Sequence, residues 1–369
     1  MGKLMRAIGV MSGTSMDGID VALIDTDGED AVERGPSATY AYDAAFRSEL
    51  RVALREATSM TRRTDRPGSL GAVEQRLTEL HADAVKRFCR EKGIASAGVR
   101  VIGFHGQTVL HRPDARLTVQ IGDGAKLAAL TGIDVVHDLR AEDVAAGGQG
   151  APLVPAYHRA LVAGLPQRPL AFLNVGGVAN VTWIGRQHEM LAFDTGPGCA
   201  MLDDWMRMKA GKTCDLDGKT SAAGQVHEDY VAEYMRHSHF AAPPPKSLDR
   251  NAFALELLDE LSLADGAATL TAFTATSIAR AREHMPSEPL LWVVAGGGRR
   301  NRTLMSMMAG LVENAVVPAE AIGLDGDSLE AEAWAYLAVR SMLRLPITFP
   351  GTTGVSRPIT AGVMVRART

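Results

Sequence analysis

Cysteine is scarce in this chain: Cys89, Cys199 and Cys214 are three residues among 369, and they lie far apart. That spacing suits neither a disulfide framework nor a zinc site built on paired ligands, and it fits a reducing, cytoplasmic setting. No apolar run reaches membrane-spanning length, and the charged Lys3–Arg6 stretch leads too soon into Ser12-Gly13-Thr14 for a signal segment, so no membrane association is expected. Basic charge is not in excess either. With 39 Lys and Arg against 43 Asp and Glu the formal charge is -4, and the basic residues are dispersed. That leaves no footprint for nucleic acid, so any phosphate site must be local. Also missing are a Walker Gly-x-x-x-x-Gly-Lys-Ser/Thr and a protein-kinase catalytic loop with its Asp-Phe-Gly, so a nucleotide needs another cradle.

What is present is an ordinary globular composition on a long chain. At 369 residues it exceeds what one hydrophobic core usually serves, which predicts two domains with a small-molecule cleft between them. The apolar run Ala7–Met11 meets the turn Ser12-Gly13-Thr14-Ser15, and apolar character resumes over Ile19–Ile24: strand, tight turn, strand. The arrangement recurs where Leu170–Val175 meets Gly176-Gly177, Val178–Ile184 follows, and a further apolar stretch ends in Asp194-Thr195-Gly196-Pro197-Gly198. The recurrence points to duplicated domains. Apolar residues from Val73 to Phe88 fall at helical spacing and predict an amphipathic helix with no functional content. A third apolar strand, Leu290–Val294, runs into Gly296-Gly297-Gly298 and then a helix-like segment from Asn301 to Met308, which makes a ligand-binding edge. Ala241–Lys246 and Pro350–Gly354 read as loops.

Gly13-Thr14-Ser15-Met16-Asp17-Gly18 gathers backbone donors, two hydroxyls and a carboxylate in one turn, the set that holds phosphate oxygens and a bridging metal. An isolated Asp-Gly pair would be read as a hairpin turn, and it is the neighbouring hydroxyls that favour the functional reading. Asp194 to Gly198 repeats the logic ahead of a predicted helix from Ala200 to Met208. The three glycines 296–298 allow a base or ribose close to the backbone, or simply connect strand to helix. His105, in Phe104-His105-Gly106-Gln107-Thr108, is read as substrate-shaping, against the commoner case of a satisfied structural histidine. Arg140, Asp143 and Gln149 share a loop with Gly147, Gly148 and Gly150 that could orient a carboxylate or hydroxyls, or could be a solvated linker.

Taken in order, these motifs resemble the anhydro-N-acetylmuramic acid kinase family of the actin, Hsp70 and sugar-kinase superfamily. The resemblance rests on Gly9-Val10-Met11-Ser12-Gly13-Thr14-Ser15-Met16-Asp17-Gly18-Ile19-Asp20, on Phe104 to Thr108 with His111-Arg112-Pro113, and on Gln120-Ile121-Gly122-Asp123. It continues through Asp138-Leu139-Arg140, Gly147 to Pro155, Asn174 to Thr182 and Phe193 to Gly198. It extends through Asp217-Gly218, Pro243 to Ser247, Gly296 to Gly298 with Asn301, and Leu329-Glu330-Ala331, so nearly the whole chain is covered. Two places depart from the pattern. Leu248-Asp249-Arg250-Asn251 replaces the usual Thr-Gly-Arg-Glu, and Val355 stands where alanine is usual.

The resemblance implies an α/β fold of two duplicated ribonuclease-H-like, actin-like ATPase domains with a nucleotide cleft between them. The expected limits are 1–136 plus 338–369 for the first domain and 137–337 for the second. It implies an enzyme that uses ATP and Mg²⁺ to open 1,6-anhydro-N-acetylmuramic acid and phosphorylate O6, in cell-wall recycling. By analogy Asp194 is the general base, and Glu330 positions the sugar or its water. Nucleotide binding falls to Gly13, Thr14, Ser15, Met16, Asp17, Gly18, Ile19, Asp20, Gly176, Gly177, Thr195, Gly196, Gly198, Gly296, Gly297, Gly298 and Asn301, with Asp17 toward the metal. Substrate binding falls to His105, Gln107, Thr108, Arg140 and Gln149. The anhydro sugar is the expected partner, without nucleic acid or membrane, and a homodimer is left open. Two other readings compete: a plain sugar kinase in which Asp194 deprotonates a free hydroxyl, and an ATP-switched binding protein.

Overall fold

The computed structural model describes residues 2–13 and 16–367, so the predicted nucleotide ligands Thr14 and Ser15 lie outside the described residues. The chain divides into two compact units, one of residues 1–164 with 328–369 and one of residues 165–327. The limits expected from the sequence, near 136 and 338, differ from these. Residues 137–164 belong to the first unit because β7 (Val135–His137) lies inside its sheet and the loop beyond is tied to the C-terminal segment through Asp143 and Thr353.

In the first unit β1 (Met5–Met11), β2 (Gly18–Thr26) and β3 (Val32–Ala41) form an antiparallel meander. Then β4 (Val101–Phe104) pairs parallel with β1, and β7 pairs parallel with β4. A short hairpin of β5 (Gln107–Arg112) and β6 (Leu117–Ile121) stands apart from this sheet. Ala7, Ile8 and Val10 of β1 are fully buried, as expected of a central strand covered on both faces. One face packs on the Leu70–Glu91 helix, whose apolar stripe Val73, Leu77, Val85 and Phe88 joins the core with Phe46, Ile102 and Phe104. Against the sheet also lies the Leu329–Met342 helix, buried almost all round, which approaches β1 and β4 where these strands carry Gly9 and Gly103.

That helix carries a buried acid, Glu332, only 1% exposed. Its carboxylate accepts from Arg34 Nε and Nη2 at 2.8–3.1 Å, from Tyr157 Oη at 2.6 Å and from Ser328 Oγ at 2.8 Å. A buried charge is tolerated only with such pairing and hydrogen bonding. The network joins β3, the Pro155–Leu161 helix and the Leu329–Met342 helix into one body.

The second unit repeats the sheet. β8 (Leu170–Val175), β9 (Val178–Ile184) and β10 (Met190–Pro197) form an antiparallel meander, and β11 (Leu291–Ala295) and β12 (Ala315–Pro318) add in parallel beyond β8. The order β10-β9-β8-β11-β12 matches β3-β2-β1-β4-β7 in the first unit, where β13 (Val363–Val365) adds one antiparallel edge strand. Two such sheets of matching strand order in one chain are duplicated ribonuclease-H-like domains. The helices Leu263–Arg280 and Arg302–Val312 cover the second sheet through Ala275, Ile278, Leu304 and Met308. The predicted strands and helices at 7–24, 73–88, 170–184, 200–208 and 301–308 all occur; the strands at 170–175 and 178–184 have the predicted bounds, and the others extend a few residues at one or both ends.

Candidate active site

In the first unit the β1–β2 turn is anchored at its base. Ser12 Oγ donates to Gln107 Oε1 at 2.6 Å, and Met16 N donates to the Gly13 carbonyl with Met16 at φ 54°. Asp17 lies exposed at the turn, and its carbonyl accepts from Tyr42 N at 2.9 Å. Gly18 and Ile19 are buried at the start of β2, and Asp20 Oδ1 accepts from Thr39 Oγ1 at 2.6 Å. Gln107 is thus a brace for the turn, and Thr108 Oγ1 accepts from Gln120 Nε2 at 3.2 Å.

His105, Arg140 and Trp334 form one cluster. The His105 and Trp334 rings stack at 4.4 Å, Arg140 lies over the same indole at 5.0 Å, and Arg140 Nε donates to His105 Nε2 at 3.2 Å. Desolvation and the Arg140 charge hold the imidazole pKa well below its usual value, so the ring is a neutral acceptor at Nε2. Burial lowers Arg140 to about 10, which leaves it charged at neutral pH, and Nη1 donates to the Gly150 carbonyl at 2.7 Å. Asp143, fully buried, fixes this loop by accepting from Gly150 N at 2.6 Å and Thr353 Oγ1 at 2.7 Å, while Gln149 N donates to the Thr353 carbonyl.

Glu330 sits one helical turn before Trp334 with its side chain accessible among buried neighbours. The protein packed around it and the charge of Asp20 raise its pKa, opposed by Arg140. Glu330, Asp20 and Arg140 are therefore within electrostatic reach of one another. Trp334 was not singled out from the sequence, although its i+4 spacing from Glu330 puts both on one helix face.

In the second unit the glycine turns at 176–177 and 296–298 converge on Gly198 at the end of β10. The Gly176 carbonyl accepts from Cys199 N at 2.7 Å, and the Gly177 carbonyl accepts from Gly198 N at 2.9 Å and Ala200 N at 3.2 Å. The β8–β9 turn thereby takes up the first amides of the Ala200–Ala210 helix. A Cβ at Gly198 would overlap the Gly176 carbonyl, and one at Gly298 would overlap Val175, so only glycine allows these backbones to approach so closely. Gly297 faces open space. Thr195 is buried, with Oγ1 donating to the Ala179 carbonyl at 3.2 Å, and Gly196 packs on Ser277. Asn301 caps the Arg302–Val312 helix, its Oδ1 accepting from Leu304 N at 2.9 Å. Arg299, 8% exposed, ties this turn to Glu320 and Asp327.

Asp194 lies on β10, an edge strand, where a bulge shifts the register between Asp194 and Gly196. Bulges re-aim a side chain out of the ladder. Asp194 Oδ2 accepts from Leu248 N at 2.8 Å, and no hydrogen bond to Oδ1 occurs among the described residues. Burial raises the carboxyl pKa to about 6, partly opposed by the Leu248 N–H. A half-buried carboxylate with one oxygen held and one unengaged is suited to accept a proton near neutral pH. Among the described residues no cluster of three His, Cys, Asp or Glu side chains could hold a metal by itself.

The family profile described as anhydro-N-acetylmuramic acid kinase matches residues 5–367. Proteins curated under that name are similar along their entire lengths. The one from Agrobacterium fabrum (strain C58 / ATCC 33970) is 51% identical over all of both chains. The one from Rhodopseudomonas palustris (strain BisB18) is 53% identical over 98% of this chain and all of its own, and the one from Brucella canis is 49% identical over 99% and 100%. With its duplicated sheets, its convergent glycine turns and this full-length match, the chain belongs to the anhydro-N-acetylmuramic acid kinase family.

Proposed function

We propose that this kinase opens the 1,6-anhydro bridge of anhydro-N-acetylmuramic acid with water and transfers the γ-phosphoryl group of ATP to the freed O6. Asp194 takes a proton from water as the water oxygen bonds to C1 and the C1–O6 bond breaks. O6 attacks the γ-phosphorus, the bond from that phosphorus to the β,γ-bridging oxygen breaks, and ADP leaves. The products are N-acetylmuramic acid 6-phosphate, ADP and a proton. The observation that carries this reading is the Asp194 carboxylate, set at a bulge with Oδ2 bound to Leu248 and a pKa near 6.

Phosphoryl transfer needs chiefly positioning and charge neutralisation. The 13–20 turn of the first unit is proposed for nucleotide binding, as are, in the second unit, the glycine turns at 176–177 and 296–298 and the end of β10 at 195–198, with Asn301 acting through its helix cap. Mg²⁺ is usually held by one or two carboxylates together with substrate phosphates, and the exposed Asp17 carboxylate fits that demand. Asp17 is assigned to its water shell, and the ion when bound neutralises phosphate charge. Arg140, placed by His105 and the Asp143-braced loop, is proposed for the acidic and hydroxyl groups of the sugar together with Gln149, and Glu330 for its orientation. Gln107 and Thr108 act through the walls they brace. Cys89, Cys199 and Cys214 are free thiols, which supports the proposed cytoplasmic setting in cell-wall recycling. No helix among the described residues is long and apolar enough to cross a membrane.

The test is a mass-resolved assay with ATP, Mg²⁺ and the anhydro sugar in ¹⁸O-labelled water. A 6-phosphate carrying the label at C1, lost in Asp194→Asn while ATP still binds, is the expected result. Phosphorylation of N-acetylmuramic acid with no turnover of the anhydro sugar would instead mark a plain sugar kinase.

A further inference from the structure

We propose that Lys246 is a positioning residue for the base: it holds the 237–248 segment along the open edge of β10 so that Leu248 N–H binds Asp194 Oδ2 and leaves Oδ1 to take the proton. This rests on the reading of Asp194 as base. An edge strand leaves its outward backbone groups unpaired, and here both such groups of Asp194 are claimed by the same segment. Asp194 N donates to the Lys246 carbonyl at 3.0 Å, and His239 Nε2 donates to the Asp194 carbonyl at 2.8 Å. With the Leu248 contact at 2.8 Å, three hydrogen bonds fix one residue.

The segment is in turn held by the Lys246 ammonium. Nζ donates to the His239 carbonyl at 2.8 Å, lies 3.1 Å from His284 Nε2 and sits over the Phe193 ring at 5.5 Å. The ammonium thus bridges the His239 turn, the His284 turn and the residue preceding the base. Loss of that bridge frees the loop on which the Leu248 amide rides. Neither Lys246 nor Leu248 needs to touch substrate for this role.

The ionisable groups around the clamp are His239 and His237 on the 237–240 turn, Lys246 on the loop, and Arg280, Glu283 and His284 at the end of the Leu263–Arg280 helix and the turn after it. Burial lowers the His239 pKa from its usual value, and its Nε2–H can donate to the Asp194 carbonyl in the neutral and the charged form alike. Burial, and after it the charge of Arg280, lowers Lys246 to about 8, and Glu283 opposes this. The contact that changes with loop order is the Leu248 N–H, which favours the ionised carboxylate.

The experiment compares kcat/KM against pH for the full-length wild type, Lys246→Met, Lys246→Arg and Leu248→Pro, with Asp194→Asn as reference. Lys246→Met is expected to lower kcat roughly ten- to a hundredfold and to move the acid limb to higher pH, with ATP affinity and melting temperature near wild type. Lys246→Arg, which keeps charge and donors, restores the limb. Leu248→Pro deletes the same donor directly and reproduces the shift, and it decides the matter if Lys246→Met does not fold. An acid limb that stays at its wild-type position in Lys246→Met and Leu248→Pro overturns the proposal, however far kcat falls. An active Asp194→Asn would instead show that the base itself is misassigned.

Discussion

Gly9 and Gly103 face one another in the parallel β1–β4 ladder, and neither has room for a side chain beneath the helix that carries Glu330. A Cβ at Gly9 would overlap the Ala331 carbonyl, and one at Gly103 would overlap the Trp334 carbonyl. The close approach sets the depth of Glu330 and of the Trp334 ring on which His105 and Arg140 are stacked.

Gly9→Ala is therefore expected to lift the helix and cost about 3 kcal/mol, at the upper end for overpacking because the obstacle is backbone. Thermal melting gives the stability and steady-state kinetics the accompanying loss of activity. Gly103→Ala behaves alike, and the double variant costs less than the sum, since one displacement relieves both clashes. An unaltered melting temperature in Gly9→Ala would mean that the helix is not packed this closely.

Arg34 and Glu332 are 298 positions apart and form the buried pair that joins β3 to the same helix. Arg34→Met strands the Glu332 carboxylate with Tyr157 and Ser328 as its remaining donors among the described residues, at a cost of about 3 kcal/mol. Arg34→Met combined with Glu332→Leu removes the stranded charge and recovers part of that loss. Urea unfolding midpoints of the two variants check the order. If the double variant is the less stable one, packing and not charge pairing dominates at this site.

These contacts also mark where sequence reading stops. The strand-turn-strand at 7–24 and its copy at 170–184 were legible because apolar runs and glycine turns are local signals. Asp194, read as a strand end ahead of a glycine turn, lies instead inside β10, which runs on through a bulge to Pro197 because its pairing with β9 resumes at Gly196. What the sequence did not disclose is carried by partners distant in the chain: Leu248 on Asp194, Arg34 on Glu332, Thr353 on Asp143. The Leu248 contact is beyond any reading of side chains, since its donor is a backbone amide at a position that departs from the family pattern. Asn301 carries a local signal, a capping side chain ahead of an apolar helix, and its hydrogen bond to Leu304 fits that reading. The first domain was drawn too short because residues 137–164 contain little periodic apolar pattern, and their attachment runs through Asp143, Arg140 and the Glu332 network.

The raised Asp194 pKa makes two measurable demands. On the proposed role of Asp194 as base, which must be ionised, kcat/KM should rise with pH and level off above about 6. The same burial acts on stability with the opposite sense. A carboxyl whose folded pKa lies above its usual 3.8 favours the folded state most when protonated, so this contribution is complete below about pH 4 and is lost as pH rises through about 6. Asp194→Asn keeps an acceptor for the Leu248 amide and carries no charge. It should match the wild type near pH 4 and exceed it above pH 7 by on the order of 1–2 kcal/mol, allowing for partial solvent contact. Chemical denaturation of both proteins across that range tests this. Equal stability at every pH would mean that the carboxylate is fully hydrated, and the rise in kcat/KM would then have to belong to another group.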